Sequence, residues 1–293
     1  MASDDHLKLN LPDAVHSGIK QVYDRLTSFT NNDFITDELY QPSTHLLQSH
    51  GKMIRPTMVL LGAHILNYNL ELFVDLASAI ELLHVSSLVH DDIIDKERER
   101  RGIDSVNYKF NNNYAILAGD ALISKAIQLS SKYGSNVMYS ISDAAMKMCA
   151  GESIDYKYQN NISKIDVDKY IKIAILKTAS LIGTSSSIAA IYKDHKSKIN
   201  MYDYGLNLGI AFQIRDDILE FTQSSSAYAS KKAAKEANIV NILKLQENIS
   251  KKEAISKAVL MNNKYVSRAI GGIKDIDPNS MLLNYANLIL IKE

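Results

Sequence analysis

Two short groups of carboxylate side chains are the residues of this 293-residue chain whose types and spacing could do chemistry together. Each group has acidic residues at positions i, i+1 and i+4 of a predicted helix, within strongly apolar flanks. A helix rises about 1.5 Å per residue, so positions i and i+4 lie about 6 Å apart on one face. Charges this close repel one another unless a cation offsets them. The six carboxylates are Asp91, Asp92, Asp95, Asp216, Asp217 and Glu220.

An exposed helix face is the alternative interpretation of either acidic group by itself. Two groups, both embedded in apolar helices, instead favour a pair of facing helices that line one oxygen-rich mouth. Mg²⁺ prefers carboxylate oxygens, keeps several waters and is typically completed by substrate phosphates. The pattern therefore predicts a magnesium site that binds a phosphorylated ligand.

Basic side chains that could bind such a ligand are also present. Lys52 and Arg55 stand three residues apart in GKMIRP, at a predicted helix start, and His84 lies nearly two turns before Asp91. Lys177 interrupts an apolar helix, where a lysine usually forms an ion pair or extends its charged end to water. A surface charge is the alternative for each arginine or lysine. The full set is Lys52, Arg55, His84, Arg100, Arg101 and Lys177.

Long helices are the elements that must position these residues. The stretch from Thr57 to Gln223 contains no proline, which would break a helix. Apolar residues recur there at helical spacing, as at Leu76 and Ile80, and alternating strand patterns are absent. Asp166 is a predicted N-cap of a helix that runs to about Tyr192. The sequence predicts an all-α fold of roughly ten helices with short loops, in a single domain over residues 1–293.

Composition excludes several classes of function. Basic and acidic residues both number 33, so no net field attracts nucleic acid or an anionic membrane. The single cysteine, Cys149, excludes an intrachain disulfide and a multi-cysteine zinc site. The polar N-terminus has no apolar signal core, and no apolar run approaches the roughly 20 residues of a membrane span. We therefore expect a soluble, cytoplasmic protein.

Six motifs together resemble one family, the trans-isoprenyl diphosphate synthases or polyprenyl synthetases. The strings GKxxRP, HxxSLxHDDxxD, RRG, AGDAL, KT and GxxFQxxDD occur in the family's order between Gly51 and Glu220. The resemblance implies a bundle of antiparallel helices around a deep apolar cavity, usually in a homodimer. It implies an enzyme that condenses an allylic diphosphate with isopentenyl diphosphate, using two or three Mg²⁺ ions.

The resemblance also implies a role for each matching residue. The diphosphate of isopentenyl diphosphate would be held by Lys52, Arg55, His84 and Arg101. The allylic diphosphate would be bound by Arg100, Lys177 and Gln213. The metal ligands would be Asp91, Asp92, Asp95, Asp216, Asp217 and Glu220, with Asp92 and Asp217 in supporting roles. The catalytic residues would be Arg100, Lys177, Thr178 and Gln213. Thr178 and Gln213 would face the reacting carbons, and Asp120 would organise nearby polar groups.

Product length is predicted from two serines about one turn before Asp91. In the resembling family, bulky aromatic residues at the positions of Ser86 and Ser87 close the cavity and stop chain growth. One helical turn is about 5.4 Å, on the order of one extended isoprene unit, so serine predicts about 20 carbons, with about 25 to 30 as the longer alternative. The next floor would be formed by Leu83, Leu82 or Ile80, facing Ile123–Ile127.

The sequence departs from the family pattern in three places. Met53 replaces a second basic residue, Glu220 replaces an aspartate, and a GKxT string after the second acidic group is missing. Near Ser224–Ser230, a predicted loop, the candidates for the lost positive charge are Lys231, Lys232 and Lys235. The missing string leaves open a catalytically weak binding or regulatory subunit. A terpene cyclase of the same fold is the other alternative, which Lys52 disfavours because a cyclase needs no isopentenyl diphosphate site.

Overall fold

The computed structural model describes residues 11–49, 51–159, 161–223 and 238–291. Most of these residues are helical. The α-helices are α1 (Asp13–Thr27), α2 (Asn31–Phe34), α3 (Asp37–His45), α4 (Ile54–Ile65), α5 (Val74–Ile94), α6 (Val106–Phe110), α7 (Asn112–Ser130), α8 (Ser135–Tyr158), α9 (Val167–Ala174), α10 (Ser180–Tyr192), α11 (Lys198–Gln223), α12 (Ile239–Glu247), α13 (Lys251–Gly271) and α14 (Met281–Asn287). The predicted all-α fold is confirmed.

One short β-hairpin departs from the predicted absence of strands. Strand β1 (Glu99–Arg100) pairs antiparallel with β2 (Ile103–Asp104). Strands of two residues each are too short to carry an alternating pattern that could be recognised in the sequence. The fold class is therefore unchanged.

The predicted helix from Asp166 to about Tyr192 is correct at both ends but is not a single regular α-helix. The Asp166 carboxylate accepts a hydrogen bond from the backbone N–H of Lys169 at 2.7 Å, as a helix N-cap does. Between α9 and α10, however, Ile175–Ala179 form a π-helical turn. Such turns occur mostly as single insertions within α-helices, often at functional sites.

The chain divides into two compact units. The first unit comprises Leu11–Ala145 and Ile188–Lys196. The second comprises Met146–Ser187 together with the described residues from Ser197 onward. The prediction of a single domain over 1–293 stays a prediction.

Helix α5 is central to the first unit. It packs against α1, α4 and α7, and most of its apolar residues are buried, including the predicted Leu76 and Ile80. Helix α7 contributes Ala118 and Leu122 to the same core. Because α5 is enclosed by its neighbours, the acidic group at its C-terminal end is held at a fixed place.

Helix α11 has the corresponding role in the second unit. It packs against α13, and isoleucines 210, 214 and 218 lie four residues apart on its buried face. These side chains belong to a core that includes Ile239 and Val240 of α12. The second acidic group lies on this same helix, between Ile214 and Phe221.

Two helical stretches are longer and more apolar than the sequence predicts. Residues Leu70–Ile94 and Val167–Tyr192 are long and apolar enough to cross a membrane by length and composition alone. Within their most apolar windows, 67% and 78% of the residues are buried inside the protein. Core helices of soluble proteins have the same properties, so these stretches fit helices of a protein core.

Candidate active site

The first acidic group lies at the C-terminal end of α5, in its last turn and at the residue that follows it. The backbone N–H of Asp95 donates to the carbonyl of Asp91 at 2.8 Å, so the two residues are one helical turn apart as predicted. Asp91 is partly exposed and Asp95 is exposed, whereas Asp92 between them is fully buried. The group therefore presents its first and last carboxylates to solvent.

Buried Asp92 holds the β-hairpin that follows α5. Its Oδ1 accepts a hydrogen bond from Nε of Arg100 at 2.8 Å, and Nη2 of Arg100 contacts the same oxygen. The side chain of Asn107 donates to the carbonyl of Asp92 at 3.2 Å. A buried carboxylate is costly unless it is paired, and Arg100 provides that partner.

The hairpin places Arg101 at its tip. Arg101 and Gly102 have φ angles of 56° and 79°, the left-handed conformation that a two-residue hairpin turn of type I′ requires. The Arg101 guanidinium lies against Gly51, where an added Cβ would stand 2.8 Å from Nη1. Its Nη2 is 3.9 Å from the carboxylate of buried Glu81. Gly51 of the GKxxRP string thus leaves room for this guanidinium.

Basic residues of the first unit gather around Glu81. Arg55 lies in the first turn of α4, and its charge acts on Glu81 together with that of Arg101. His84 lies one turn after Glu81 on α5. Burial, reinforced by the nearby arginines, holds the pKa of His84 well below its usual range, so its imidazole is neutral at neutral pH. Lys52 is exposed just before α4.

The second acidic group repeats the burial pattern of the first. Asp216 is partly exposed and Glu220 is exposed, whereas Asp217 is buried. Burial raises the pKa of Asp217 to about 7, although hydrogen bonds to its carboxylate oppose that shift. In both groups, therefore, the middle aspartate points inward and the outer two carboxylates are accessible.

Asp217 is bound by donors from three parts of the second unit. Its Oδ2 accepts from the hydroxyl of Tyr170 at 2.8 Å and from the backbone N–H of Ile239 at 2.9 Å. Its Oδ1 accepts from Nε2 of Gln213 at 2.9 Å. The side chain of Asn238 also donates to the carbonyl of Asp217 at 3.1 Å. Asp217 therefore fixes the start of α12 beside the second acidic group.

The π turn carries both residues of the KT string. Thr178 Oγ1 donates to Oε1 of Gln213 at 2.9 Å, which brings together the two residues predicted to face the reacting carbons. A Cβ added to Gly209 would stand 2.6 Å from Cα of Ala179, and one added to Gly151 would stand 2.5 Å from the backbone nitrogen of Lys177. Two glycines on different helices therefore contact the turn directly.

Lys177 forms ion pairs with two acidic residues of α8. Its Nζ lies 2.5 Å from Glu152 and 2.8 Å from Asp155. Of the two outcomes expected for this lysine, an ion pair or a charged end extended to water, the structure has the ion pair. The sequence analysis did not find these partners, although Glu152 and Asp155 stand three residues apart after Gly151, a spacing that places two side chains on one face of a helix.

A sequence profile described as polyprenyl synthetase matches residues 36–266, most of the chain. The chain belongs to the polyprenyl synthetase family. Of its relatives, the short chain isoprenyl diphosphate synthase of Methanocaldococcus jannaschii is 31% identical over 209 residues, covering 69% of this chain and 62% of that protein. The geranylfarnesyl diphosphate synthase of Methanosarcina mazei is 34% identical over 217 residues, covering 73% and 72%. The match thus spans less than two thirds of the first relative's length.

A solved structure supports the same family. The geranylgeranyl pyrophosphate synthetase from the archaeon Geoglobus acetivorans superposes with a TM-score of 0.82 at 26% identity. The superposition covers 96% of this chain and 99% of that one. The helical fold is therefore that of the polyprenyl synthetases.

The number and type of accessible carboxylates in each acidic group match a Mg²⁺ site whose remaining ligands are waters and substrate phosphates. Among the described residues, no three His, Cys, Asp or Glu side chains are grouped closely enough to hold an ion by themselves. Each group instead offers two accessible carboxylates, Asp91 with Asp95 and Asp216 with Glu220. Mg²⁺ is usually bound by one or two carboxylates, with waters and substrate phosphates completing its shell.

The residues predicted to set product length lie in the first unit. Ser86 is buried and Ser87 is partly buried, with its hydroxyl donating to the carbonyl of His84 at 2.9 Å. Beneath them, the predicted floor residues Leu83, Leu82 and Ile80 are buried. In the segment predicted to face this floor, Ile123 is partly buried and Ile127 is 49% exposed, and the role of the segment stays a prediction.

Some predicted features lie outside the described residues. These are the loop Ser224–Ser230 and the candidate lysines Lys231, Lys232 and Lys235. The described chain resumes at Asn238, whose side chain caps α12 by accepting from the backbone N–H of Val240 at 2.8 Å. Residues 238 and 239 thus supply polar contacts to Asp217 that the sequence did not predict.

Proposed function

We propose that this polyprenyl synthetase elongates an allylic diphosphate with isopentenyl diphosphate, giving a trans-polyprenyl diphosphate of about 20 carbons or more. The observation that carries the proposal is the basic cluster of Arg55, His84 and Arg101 in the first unit. A diphosphate needs several cationic or N–H donors. The acidic groups would bind one diphosphate through metal, and the basic cluster offers donors for a second diphosphate. A cyclase, which uses a single diphosphate substrate, has no need of it.

Substrate binding would divide among the described residues as follows. Arg55, Arg101 and exposed Lys52 would bind the diphosphate of isopentenyl diphosphate, and neutral His84 would donate an N–H to it. Arg100 and Lys177 would exchange part of their present pairing with carboxylates for the allylic diphosphate. Mg²⁺ held by Asp91, Asp95, Asp216 and Glu220 would stabilise the charge of the departing diphosphate.

The reaction begins with cleavage of the allylic C–O bond, which leaves an allylic cation and free diphosphate. The Thr178 and Gln213 oxygens stabilise the cation electrostatically, and apolar surroundings exclude water that would capture it. The double bond of isopentenyl diphosphate then attacks, forming the new C–C bond. A proton leaves the adjacent carbon to the departed diphosphate, which restores a double bond.

The purified protein, incubated with Mg²⁺, labelled isopentenyl diphosphate and a C5, C10 or C15 allylic primer, tests this proposal. Elongated diphosphates that appear only when both substrates are present support it. Release of a hydrocarbon from the allylic substrate alone would indicate a cyclase. Absence of turnover together with stimulation of another prenyl synthase would indicate a regulatory subunit.

Product length provides a sharper prediction. Replacing buried Ser86 by phenylalanine is expected to shorten the main product by about one isoprene unit, because the aromatic ring fills about one helical turn beside α5. Chromatography of the dephosphorylated products measures the change, and Ser267→Phe on the exposed face of α13 is a surface control. A wild-type product of fifteen carbons, or unchanged products in both Ser86→Phe and Ser87→Phe, would place the floor elsewhere.

We also propose a cytoplasmic homodimer. Helix α7 exposes Ile116 by 46%, Leu117 by 53% and Ile127 by 49%, and Tyr139 of α8 is 73% exposed. Exposed large apolar side chains on two consecutive helices are typical of a protein interface. Sedimentation of the wild type at twice 32.7 kDa, reduced to one copy by Ile127→Glu, would support a second copy of this chain as the partner.

A further inference from the structure

A chain of hydrogen bonds in the second unit joins the π turn to the start of α12. Thr178 donates to Gln213 at 2.9 Å, and Gln213 donates to Asp217 Oδ1 at 2.9 Å. Asp217 Oδ2 also accepts from the backbone N–H of Ile239 and from the hydroxyl of Tyr170. Each link has a donor and an acceptor, so the chain has a direction.

Asp217 decides that direction. An ionised carboxylate only accepts hydrogen bonds, and the backbone N–H of Ile239 can only donate. Gln213 must therefore turn its NH₂ group towards Asp217, which leaves its carbonyl oxygen towards Thr178. The Thr178 hydroxyl can bond to a carbonyl only by donating, so its proton is committed to Gln213.

The direction is fixed when Asp217 is ionised. A proton on Oδ2 would leave it unchanged, because the Tyr170 hydroxyl can rotate and accept that proton. A proton on Oδ1 would instead require Gln213 to turn its carbonyl oxygen towards Asp217, and the order from Gln213 to Thr178 would then reverse.

We propose that Asp217 is a positioning residue that sets the orientation of the Thr178 hydroxyl. With its proton held by Gln213, Thr178 turns oxygen lone pairs, instead of a partly positive hydrogen, towards its remaining open side. Resting on the proposed function, this orientation favours an allylic cation, because the negative end of the O–H dipole then faces the positive charge. Asp217 would act through Gln213 and Thr178 without contacting the substrate.

The substitution Asp217→Asn would reverse the chain. The carbonyl oxygen of the new amide would still accept from the fixed N–H of Ile239, so the amide NH₂ would face Gln213. Gln213 would turn its carbonyl to this NH₂ group and its own NH₂ to Thr178. Thr178 would then accept, and its hydroxyl proton would point to the side where the cation forms.

A double-mutant cycle tests this coupling. Thr178→Val is expected to lower kcat about 10-fold, because it removes the hydroxyl dipole from the developing charge. Asp217→Asn is expected to lower kcat about 100-fold, because it turns the positive end of that dipole towards the charge. In the double variant, Thr178→Val should cost nothing further or partly restore kcat, because it removes the reversed hydroxyl. The KM values and the Mg²⁺ concentration for half-maximal rate in Asp217→Asn should stay within about threefold of wild type.

Asp92→Asn is the matched control. Asp92 occupies the same place in the first acidic group and is also buried, but its partner is Arg100. Combined with Asp92→Asn, Thr178→Val should cost its full factor, because independent sites give multiplicative effects. If the effects of Asp217→Asn and Thr178→Val on kcat also multiply, the inference is overturned, but the proposed prenyl transfer is not. An inactive wild type would overturn the proposed function and the inference together.

Neutron diffraction from deuterated wild-type crystals tests the direction without any variant. The expected result is a deuterium on Thr178 Oγ1 that points to Gln213, with both amide deuteriums of Gln213 on the nitrogen facing Asp217. The opposite order would overturn the inference even if every variant lost activity.

Discussion

Replacing Asp216 by asparagine is expected to lower turnover by about three orders of magnitude, and Asp91→Asn should have a similar effect. Each change removes an accessible carboxylate that would hold Mg²⁺ at the departing diphosphate. Thermal unfolding of the metal-free protein should be unchanged or shifted upward, because removing one of several like charges relieves repulsion. Steady-state rates over a Mg²⁺ titration measure the first effect, and differential scanning calorimetry measures the second.

Asp203→Asn is the control for this prediction. Asp203 is an exposed aspartate on the same helix, α11, but several turns before the acidic group. Its substitution should leave both the rate and the Mg²⁺ dependence unchanged. Wild-type turnover in Asp216→Asn would refute the metal assignment, and a large drop in the Asp203 variant would show that charge on α11 acts non-specifically.

Gly209→Ala is expected to damage both stability and turnover. Its Cβ would stand 2.6 Å from Cα of Ala179, and backbone on either side cannot yield without moving a helix. Overpacking of this kind typically costs about 1–3 kcal/mol. Because Gln213 lies one turn beyond Gly209, the shift would also stretch the hydrogen bond to Thr178, and we expect turnover to fall about 100-fold.

Gly271→Ala is the matched control for the glycine prediction. At Gly271, near the end of α13, no described atom lies within 4 Å of an added Cβ. Alanine there should leave turnover unchanged and the free energy of unfolding equal or slightly higher, since alanine restricts the unfolded chain. If Gly209→Ala kept both wild-type turnover and stability, the close approach of α11 to the π turn would be irrelevant to the site.

The sequence predicted those parts of the site that depend on spacing along one helix. The carboxylates of Asp91 and Asp95 meet at one turn because residues i and i+4 do so in any helix. Lys52 and Arg55 flank the start of α4 as their string predicted. The inward direction of Asp217 was also within reach, since it lies seven residues after Ile210 and three after Ile214, on their buried face.

The rest of the site depends on contacts between segments distant in sequence. Tyr170 and Ile239 reach Asp217 from 47 and 22 residues away, and no local pattern predicts such partners. The π turn is similarly invisible, because one inserted residue alters the 3.6-residue periodicity by too little to be recognised in a short window. The ion pairs of Lys177 with Glu152 and Asp155 likewise join residues 22 or more positions apart, so no local pattern predicts them.

The left-handed backbone of Arg101 has a consequence for how this chain responds to selection. A non-glycine residue in that conformation is disfavoured by roughly 1–2 kcal/mol, and asparagine or glycine would suit the hairpin tip better. Variants chosen only for resistance to heat would thus tend to discard the guanidinium that lies between Gly51 and Glu81. Variants chosen for prenyl transfer should retain it and gain stability elsewhere, so the identity of residue 101 reports which pressure a lineage has experienced.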